Sequence, residues 1–194
     1  MQNSRTKKLV GVSMLAAVAF VLMFFAFPII PGVSFLKIDF SDIPVLLGMF
    51  IYGPSAGIGV AFIRTILHYI QTGGDAGYPI GDTASLIASI AYCLPIYYVM
   101  RNKTETTKNI VLANVLGTVS LTTILSFLNA YVLIPLYFAV LNFNVGPVQQ
   151  YVFYGVVPFN ISKGIIVSTV FVALFAKMKP WIFKNQLSEA SCLK

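Results

Sequence analysis

Charged residues are scarce in this chain, and that scarcity decides its structural class. Only 10% of its 194 residues are Asp, Glu, Lys or Arg, whereas soluble domains carry about 25%. The hydrophobic fraction is 58% and the mean hydropathy is +0.85. Barrel strands are about ten residues long and alternate in polarity, so the long continuous apolar runs exclude a membrane β-barrel. We therefore predict an all-α integral membrane protein, a compact helical bundle that occupies residues 1–194 as a single domain.

The sequence also lacks the common motifs of catalysis and metal binding. It contains no glycine-rich Walker loop and no His-Glu-x-x-His. Its two cysteines, Cys93 and Cys192, have no metal-ligand spacing, and His68 is its only histidine. We therefore expect no ATP hydrolysis by this chain, no metal, no catalytic cofactor and no catalytic residues.

Positive charge exceeds negative charge, with a net charge of +7, but the bases are placed as topology signals. They flank hydrophobic runs in three groups: Arg5, Lys7 and Lys8; Arg101, Lys103 and Lys108; Lys177, Lys179 and Lys184. Cytoplasmic loops of membrane proteins are enriched in Lys and Arg. The pattern therefore predicts a multi-pass protein with both termini in the cytoplasm, and it gives no indication of a nucleic-acid partner.

We predict six helical segments, at 9–30, 43–52, 55–70, 82–100, 109–141 and 156–178. A helix rises 1.5 Å per residue and needs about 20 residues to cross the hydrocarbon layer. The second segment is too short to cross alone, so it must be buried by its neighbours or lie at an angle. Six segments are preferred to five because only six place all three basic groups on the cytoplasmic side.

The three predicted external connections, 31–42, 71–81 and 142–155, contain one base, Lys37, and three acids, Asp39, Asp42 and Asp75. The first connection has the alternating pattern of a hairpin or lid that folds over the bundle. The second is rich in glycine, which suits either a mobile flap or an ordinary solvated turn.

Lys163 is the only charged residue between positions 152 and 176. A lysine inside a membrane helix costs roughly 2.5–3.5 kcal/mol on insertion scales, so it must face the protein interior and have a partner. Asn160 lies on the same helical face. Two explanations remain open: the lysine marks a solute site inside the bundle, or it forms an internal ion pair with an acid.

Other polar side chains lie in the outer half of the predicted bundle. Asp82 begins the fourth segment, and Asn129 precedes Pro135 in the fifth. Together with Asn160 and Lys163 they form the candidate solute site. Aromatic walls with a few polar groups suit a flat, conjugated, hydrogen-bonding ligand. The aromatic residues expected to line the site are Phe35, Phe40, Tyr78, Phe127, Tyr131 and Phe159.

Two further features concern partners. Arg64 lies near the middle of the third segment, and His68 follows one turn later on the same face. Two roles are open for Arg64: a structural ion pair or partner contact, and a contact with the ligand. Small residues form one face of the first segment and permit the close approach of another helix: Ser13, Ala16, Ala17 and Ala19.

Several stretches together resemble the S components of energy-coupling factor (ECF) vitamin transporters. They are FLKIDFSDIP at 35–44, GPSAG at 53–57 and the polar start of the fourth segment at Gly81-Asp82. Two more stretches, IRTILHY at 63–69 and PFNISKG at 158–164, are similar to the riboflavin-specific type. The Asn-x-x-Lys element, combined with Asn129, is the feature that points to riboflavin.

The resemblance covers about residues 8–180 and implies a six-helix subunit of a prokaryotic plasma membrane. It implies that riboflavin is the transported ligand, bound near the outer face beneath the first external loop. Asp82, Asn129, Asn160 and Lys163 would hydrogen-bond the flavin ring or the ribityl chain. The small face of the first helix would dock on a transmembrane coupling protein (the T component), and two cytoplasmic ATPase subunits would supply energy.

Two alternatives to a riboflavin-binding subunit remain. The first is an S component for another vitamin, such as thiamine or pyridoxine. The second is a small intramembrane enzyme, for which Asp82 and Lys163 are the only candidate acid–base pair.

Overall fold

The structure, a computed structural model, describes residues 2–29, 36–75, 77–101, 107–141 and 146–185. Within these ranges the chain forms six helical rods and one short two-stranded hairpin. The predicted all-α architecture is therefore confirmed. The first four helices are α1 (Gln2–Met23), α2 (Asp42–Tyr52), α3 (Pro54–Thr72) and α4 (Ile80–Arg101).

The two remaining helices, α5 and α6, each contain one π-helical turn. Helix α5 consists of Thr107–Leu128, the π turn Asn129–Leu133 and Ile134–Leu141. Helix α6 consists of Val148–Tyr151, the π turn Val152–Val156 and Val157–Asn185.

A proline follows each π turn at the same spacing, Pro135 in α5 and Pro158 in α6. Proline lacks an N–H and its ring crowds the preceding turn of a helix, and a widened π turn is one way to relieve that crowding. The two π turns lie against each other. The irregular backbone of both helices therefore falls at one level of the bundle.

The first connection folds back as a hairpin at its base. Helix α1 ends at Met23, earlier than the predicted end at 30, because Pro28 disfavours helix for the residue before it. Strand β1 (Phe27–Pro28) then pairs with strand β2 (Lys37–Ile38) in antiparallel register. Phe35, which we expected at the solute site, lies outside the described residues.

Helix α2 occupies the centre of the bundle. Every residue from Asp42 to Ile51 is buried, and the helix lies against α1, α3, α4 and α6. Its neighbours thus bury a helix that is too short to cross a membrane. Gly53, with a φ of 94°, separates it from α3, which starts at Pro54; the two residues end one helix and begin the next as predicted.

In the part of the chain that the structure describes, four helices are long and apolar enough to cross a membrane: α1, α4, α5 and α6. Helix α6 starts at Val148, inside the connection predicted at 142–155, because Pro147 has an extended backbone that begins the helix there. The remaining predicted boundaries lie within two residues of the observed ones, apart from the early start of α1 and the late end of α6.

Helices α2 and α3 approach each other most closely at Gly57. A Cβ atom on Gly57 would lie 2.1 Å from Cγ of Met49 and 2.8 Å from the carbonyl oxygen of Val45. A Cβ atom on Gly59 would have Cγ1 of Val12 as its nearest neighbour, at 3.7 Å, which is an ordinary contact. The two glycines therefore differ in how much space a methyl group would find.

We predict that Gly57→Ala lowers the free energy of unfolding by about 1–3 kcal/mol, because the backbone of α2 must shift to admit the methyl group. Gly59→Ala, on the same helix, is the matched control and should leave stability unchanged. Thermal unfolding of the two purified variants in detergent measures the difference. Equal stability of the two would contradict the close packing of α2 on α3.

Candidate solute-binding site

The lysine of α6 is paired with acidic side chains. Nζ of Lys163 lies 3.4 Å from Oδ2 of Asp42 and 3.9 Å from Oδ2 of Asp39. Of the two explanations that the sequence left open, the structure shows the internal ion pair. The burial of this lysine is thus explained by the chain itself and does not, taken alone, indicate a ligand.

Arg64 completes the same group. Its guanidinium is fully buried and lies 3.2 Å from Oδ1 of Asp42 and 4.0 Å from Oδ1 of Asp39. It also donates hydrogen bonds to the hydroxyl oxygens of Ser41 and Ser89. Arg64 therefore forms a structural ion pair, which was one of its two predicted roles.

We call Asp39, Asp42, Arg64 and Lys163 the charge cluster. Two carboxylates balance two cations, so the cluster is formally neutral. Burying each ion costs several kcal/mol, which only close counter-charges and further hydrogen bonds offset. The cluster joins the segment after β2 to α2, α3 and α6, and Ser89 adds α4 by donating to the carboxylate of Asp42.

The positions of the two acids correct the sequence analysis. Asp39 and Asp42 were assigned to the first external connection and not to the interior of the bundle, but they are only 7% and 1% exposed. The sequence did contain a signal for the burial of these acids. Arg64 and Lys163 lie within predicted membrane helices, so each requires an acidic partner. Asp39-x-x-Asp42 supplies two acids at the start of α2.

Asp82 belongs to a second polar group at the junction of α3 and α4. Its Oδ1 lies 2.6 Å from Nδ1 of His68, and its side chain is buried. The two residues hold the end of α3 against the start of α4.

The glycine-rich connection between α3 and α4 is tied on both sides of residue 76. The carboxylate of Asp75 accepts hydrogen bonds of 2.8 Å from the hydroxyl of Tyr137 and from the N–H of Gly81. The backbone of Asp75 pairs with that of Tyr78, and the hydroxyl of Tyr69 donates to the carbonyl of Gly77 in this connection. These bonds favour an ordered turn over the mobile flap.

The two predicted asparagines are buried beside the π turns. Nδ2 of Asn129 donates to the carbonyl of Leu125 at 2.8 Å, and Nδ2 of Asn160 donates to the carbonyl of Val156 at 2.9 Å. These bonds do not use the amide oxygens. Among the described residues, Asp82, Asn129, Asn160 and Lys163 are not hydrogen-bonded to one another; each has a partner elsewhere.

The predicted aromatic residues divide into two sets. Phe159 is buried in the core, and Phe40 is half-buried with its ring centroid 6.4 Å from that of Phe27. Tyr78, Phe127 and Tyr131 are 54%, 63% and 73% exposed on the surface of the bundle. Phe127 and Tyr131 stack on each other, at 6.1 Å between centroids.

A small cleft adjoins the charge cluster. It has almost no room even for a water molecule, and its lining residues are Asp42, Tyr92, Leu121, Lys163, Gly164 and Val167. Pockets for drug-sized ligands measure about 300–1,000 Å³. A three-ring ligand that reaches Lys163 must therefore move side chains of the cluster or of its walls.

The small-residue face of α1 also divides. Ala16 and Ala19 are fully buried in the chain's own core, whereas Ser13 and Ala17 are exposed. Only Ser13 and Ala17 remain accessible to a partner helix.

Comparisons with known proteins agree with this architecture. A family profile described as "ECF transporter, substrate-specific component" matches residues 7–175. The chain is 41% identical over 182 residues to the riboflavin transporter FmnP of Bacillus subtilis (strain 168), covering 92% of this chain and 95% of that protein. It is 39% identical over 176 residues to the riboflavin transporter RibU of Staphylococcus aureus (strain TCH60), covering 90% and 91% respectively.

A solved structure has the same fold. It comes from work on the structure and mechanism of the S component of a bacterial ECF transporter, and it matches with a TM-score of 0.78 and 38% sequence identity. The match covers 92% of this chain and 98% of that one.

Six helices with four apolar spans define a multi-pass membrane protein. The family profile, the relatives and the shared fold identify the family within this class of membrane proteins. The chain belongs to the substrate-specific components of ECF transporters.

The charge cluster predicts a strong dependence of stability on Arg64. Arg64→Met should lower the free energy of unfolding by about 3–5 kcal/mol, because it leaves two buried carboxylates with one cation. Lys37→Met, which removes an exposed cation from β2, is the control and should have little effect.

Adding Asp42→Asn to Arg64→Met should recover part of the loss, because the second change removes the surplus carboxylate and leaves one acid with one cation. Thermal unfolding of Arg64→Met, of Asp42→Asn and of the double variant completes this double-mutant cycle. Strictly additive losses would contradict a direct pairing of Arg64 with Asp42.

Proposed function

We propose that this chain is the riboflavin-binding subunit of an ATP-driven ECF transporter and captures the vitamin at the outer side of the membrane. The observation that carries the proposal is the set of curated relatives. Proteins that are 41%, 39% and 36% identical over at least 90% of this chain are each named as riboflavin transporters. Its own sequence adds a cation and amides inside an apolar bundle, which suit a neutral polar ligand.

The ligand contacts that we propose are those of Asp82, Asn129, Asn160 and Lys163. The flavin ring offers carbonyl oxygens and ring nitrogens as acceptors, which an ammonium with three donors can bind. The buried amides of Asn129 and Asn160 can both donate and accept. Their place beside the two π turns supports this assignment, because π turns in helices are frequent at functional sites.

Aromatic contacts from Phe40 and Phe159 fit the same site, since both are at least partly inside the bundle. Tyr78, Phe127 and Tyr131 would have to turn inward on binding, because they are exposed here. These three residues remain proposed contacts, but we expect each to contribute less to the binding free energy than Phe40 and Phe159.

We further propose that energy comes from outside this chain. A T component would dock on the face of α1 that carries Ser13 and Ala17, and two ATPase subunits would bind on the cytoplasmic side. The sequence contains no Walker loop, which agrees with a binding subunit rather than an enzyme. The three basic groups support an orientation with both termini in the cytoplasm.

The first experiment tests the ligand. Purified protein in detergent should quench the fluorescence of added riboflavin to saturation at one flavin per chain. Thiamine and pyridoxine in large excess should not displace the flavin. Saturable binding of either competitor in place of riboflavin would overturn the assignment in favour of another vitamin.

The second experiment tests Lys163. Lys163→Met should weaken riboflavin binding by roughly 1.5–3 kcal/mol, or at least about tenfold in Kd, because a charged hydrogen bond to the ligand is lost. Lys177→Met, an exposed lysine later in α6, is the control.

Lys163→Met also leaves Asp39 and Asp42 with Arg64 alone, so the unliganded variant should be less stable. Affinity is therefore measured on the monodisperse fraction after gel filtration. Wild-type affinity in that fraction would remove Lys163 from the binding site.

A further inference from the structure

The two acidic partners of Lys163 are not equivalent. Asp42 is the nearer, at 3.4 Å, and its side chain is 1% exposed. It is also paired with Arg64 at 3.2 Å and accepts a hydrogen bond from Ser89. Asp39 lies at 3.9 Å, and its side chain is 10% exposed. Asp42 is therefore the fixed counter-ion of the lysine, and Asp39 is the looser one.

Asp39 also has other partners to keep if the lysine leaves. Its Oδ1 accepts hydrogen bonds from the N–H of Ser41, at 2.9 Å, and from the hydroxyl of Ser41. The same oxygen lies 4.0 Å from Arg64. Only Oδ2 faces Lys163. Losing the lysine would therefore leave Asp39 better satisfied than Asp42, whose Oδ2 has no hydrogen bond from any of the described residues.

A ligand at Lys163 has to compete for the ammonium. The adjacent cleft has almost no room even for a water molecule, so a ligand that reaches the ammonium must displace a group that now surrounds it. Breaking the contact with Asp42 would leave Oδ2 of a carboxylate that is only 1% exposed without a neighbouring cation, whereas Asp39 would keep its hydrogen bonds from Ser41. The segment that carries Asp39 also follows directly from β2, at the predicted outer side of the bundle.

We propose that the ligand takes the place of Asp39 at Lys163 while Asp42 stays, so that Asp39 competes with the ligand and limits its affinity. The proposal rests on the proposed function, because it assumes that riboflavin contacts Lys163. It assigns Asp39 the role of an affinity-determining residue that acts through the lysine.

The test is Asp39→Asn in the full-length protein. The amide should hold the ammonium less strongly than a carboxylate does, so riboflavin should bind about three- to tenfold more tightly than to wild type. Damage to the fold would not raise affinity, so the direction of the change separates competition from a structural role. Weaker or unchanged binding would overturn the proposal.

Thermal shift gives a second readout. Asp39→Asn should lower the unfolding temperature of the unliganded protein, in which the Asp39–Lys163 contact is lost. It should change that of the riboflavin-saturated protein less, because the contact is already broken there. The stabilisation by saturating riboflavin should therefore be larger in the variant. An equal loss in both states would show that the contact persists with ligand, and would contradict the exchange.

Asp75→Asn is the matched control, since it removes a carboxylate that contacts Tyr137 and Gly81 instead of Lys163. It should not tighten binding; an equal gain in this variant would show that any lost negative charge suffices. If Asp39→Asn does not fold, Ser41→Ala replaces it. Losing the Ser41 hydroxyl leaves Asp39 more dependent on the lysine, so riboflavin should bind more weakly, and tighter binding would contradict the proposal.

The outcomes also separate this inference from the proposed function. No riboflavin binding by the wild-type protein refutes the proposed function itself. Wild-type binding with no gain in Asp39→Asn refutes only the exchange.

Discussion

An ion inside an apolar bundle must have a counter-ion, and this constraint shapes the centre of the molecule. Arg64 and Lys163 lie on α3 and α6, and both reach the carboxylates of Asp39 and Asp42. To bring those acids inward, the segment after β2 folds onto the bundle, and the short helix α2 takes the central position among α1, α3, α4 and α6. A neutral set of four ions thus fixes the start of an 11-residue helix whose apolar residues pack against the four surrounding helices.

We propose that riboflavin capture uses the same ions. The names of the relatives support riboflavin as the proposed ligand, because a fold alone does not determine function. The geometry supplies a way to bind it: a lysine that is held in place by one deeply buried acid and shared with a second, looser one. Such a lysine stays satisfied without ligand, and in our proposal a neutral acceptor of the ligand takes the place of the looser acid. The buried amides beside the π turns add hydrogen-bonding groups at irregular backbone.

Periodicity, length and basic flanks were enough to predict six helices, and the break at Gly53-Pro54 was visible because glycine and proline act locally. The end of α1 was predicted too late because its apolar run continues past Met23. Pro28 did indicate an earlier end, since proline is disfavoured inside a helix. The partners of Lys163 were missed because Asp39 and Asp42 are more than a hundred residues away along the chain, and helix periodicity fixes a face, not a long-range contact. A proline inside a helix, such as Pro135 or Pro158, indicates irregular backbone, but the sequence does not show whether that irregularity is a kink or a π turn.

The most direct measurement is the structure of this protein with riboflavin bound, read at the ammonium of Lys163. The account predicts that Nζ contacts an acceptor atom of the flavin and remains near Asp42, while Oδ2 of Asp39 has moved beyond the 3.9 Å at which it now lies. A bound flavin that leaves both carboxylates on Lys163 would contradict the account, as would a flavin that binds away from the charge cluster.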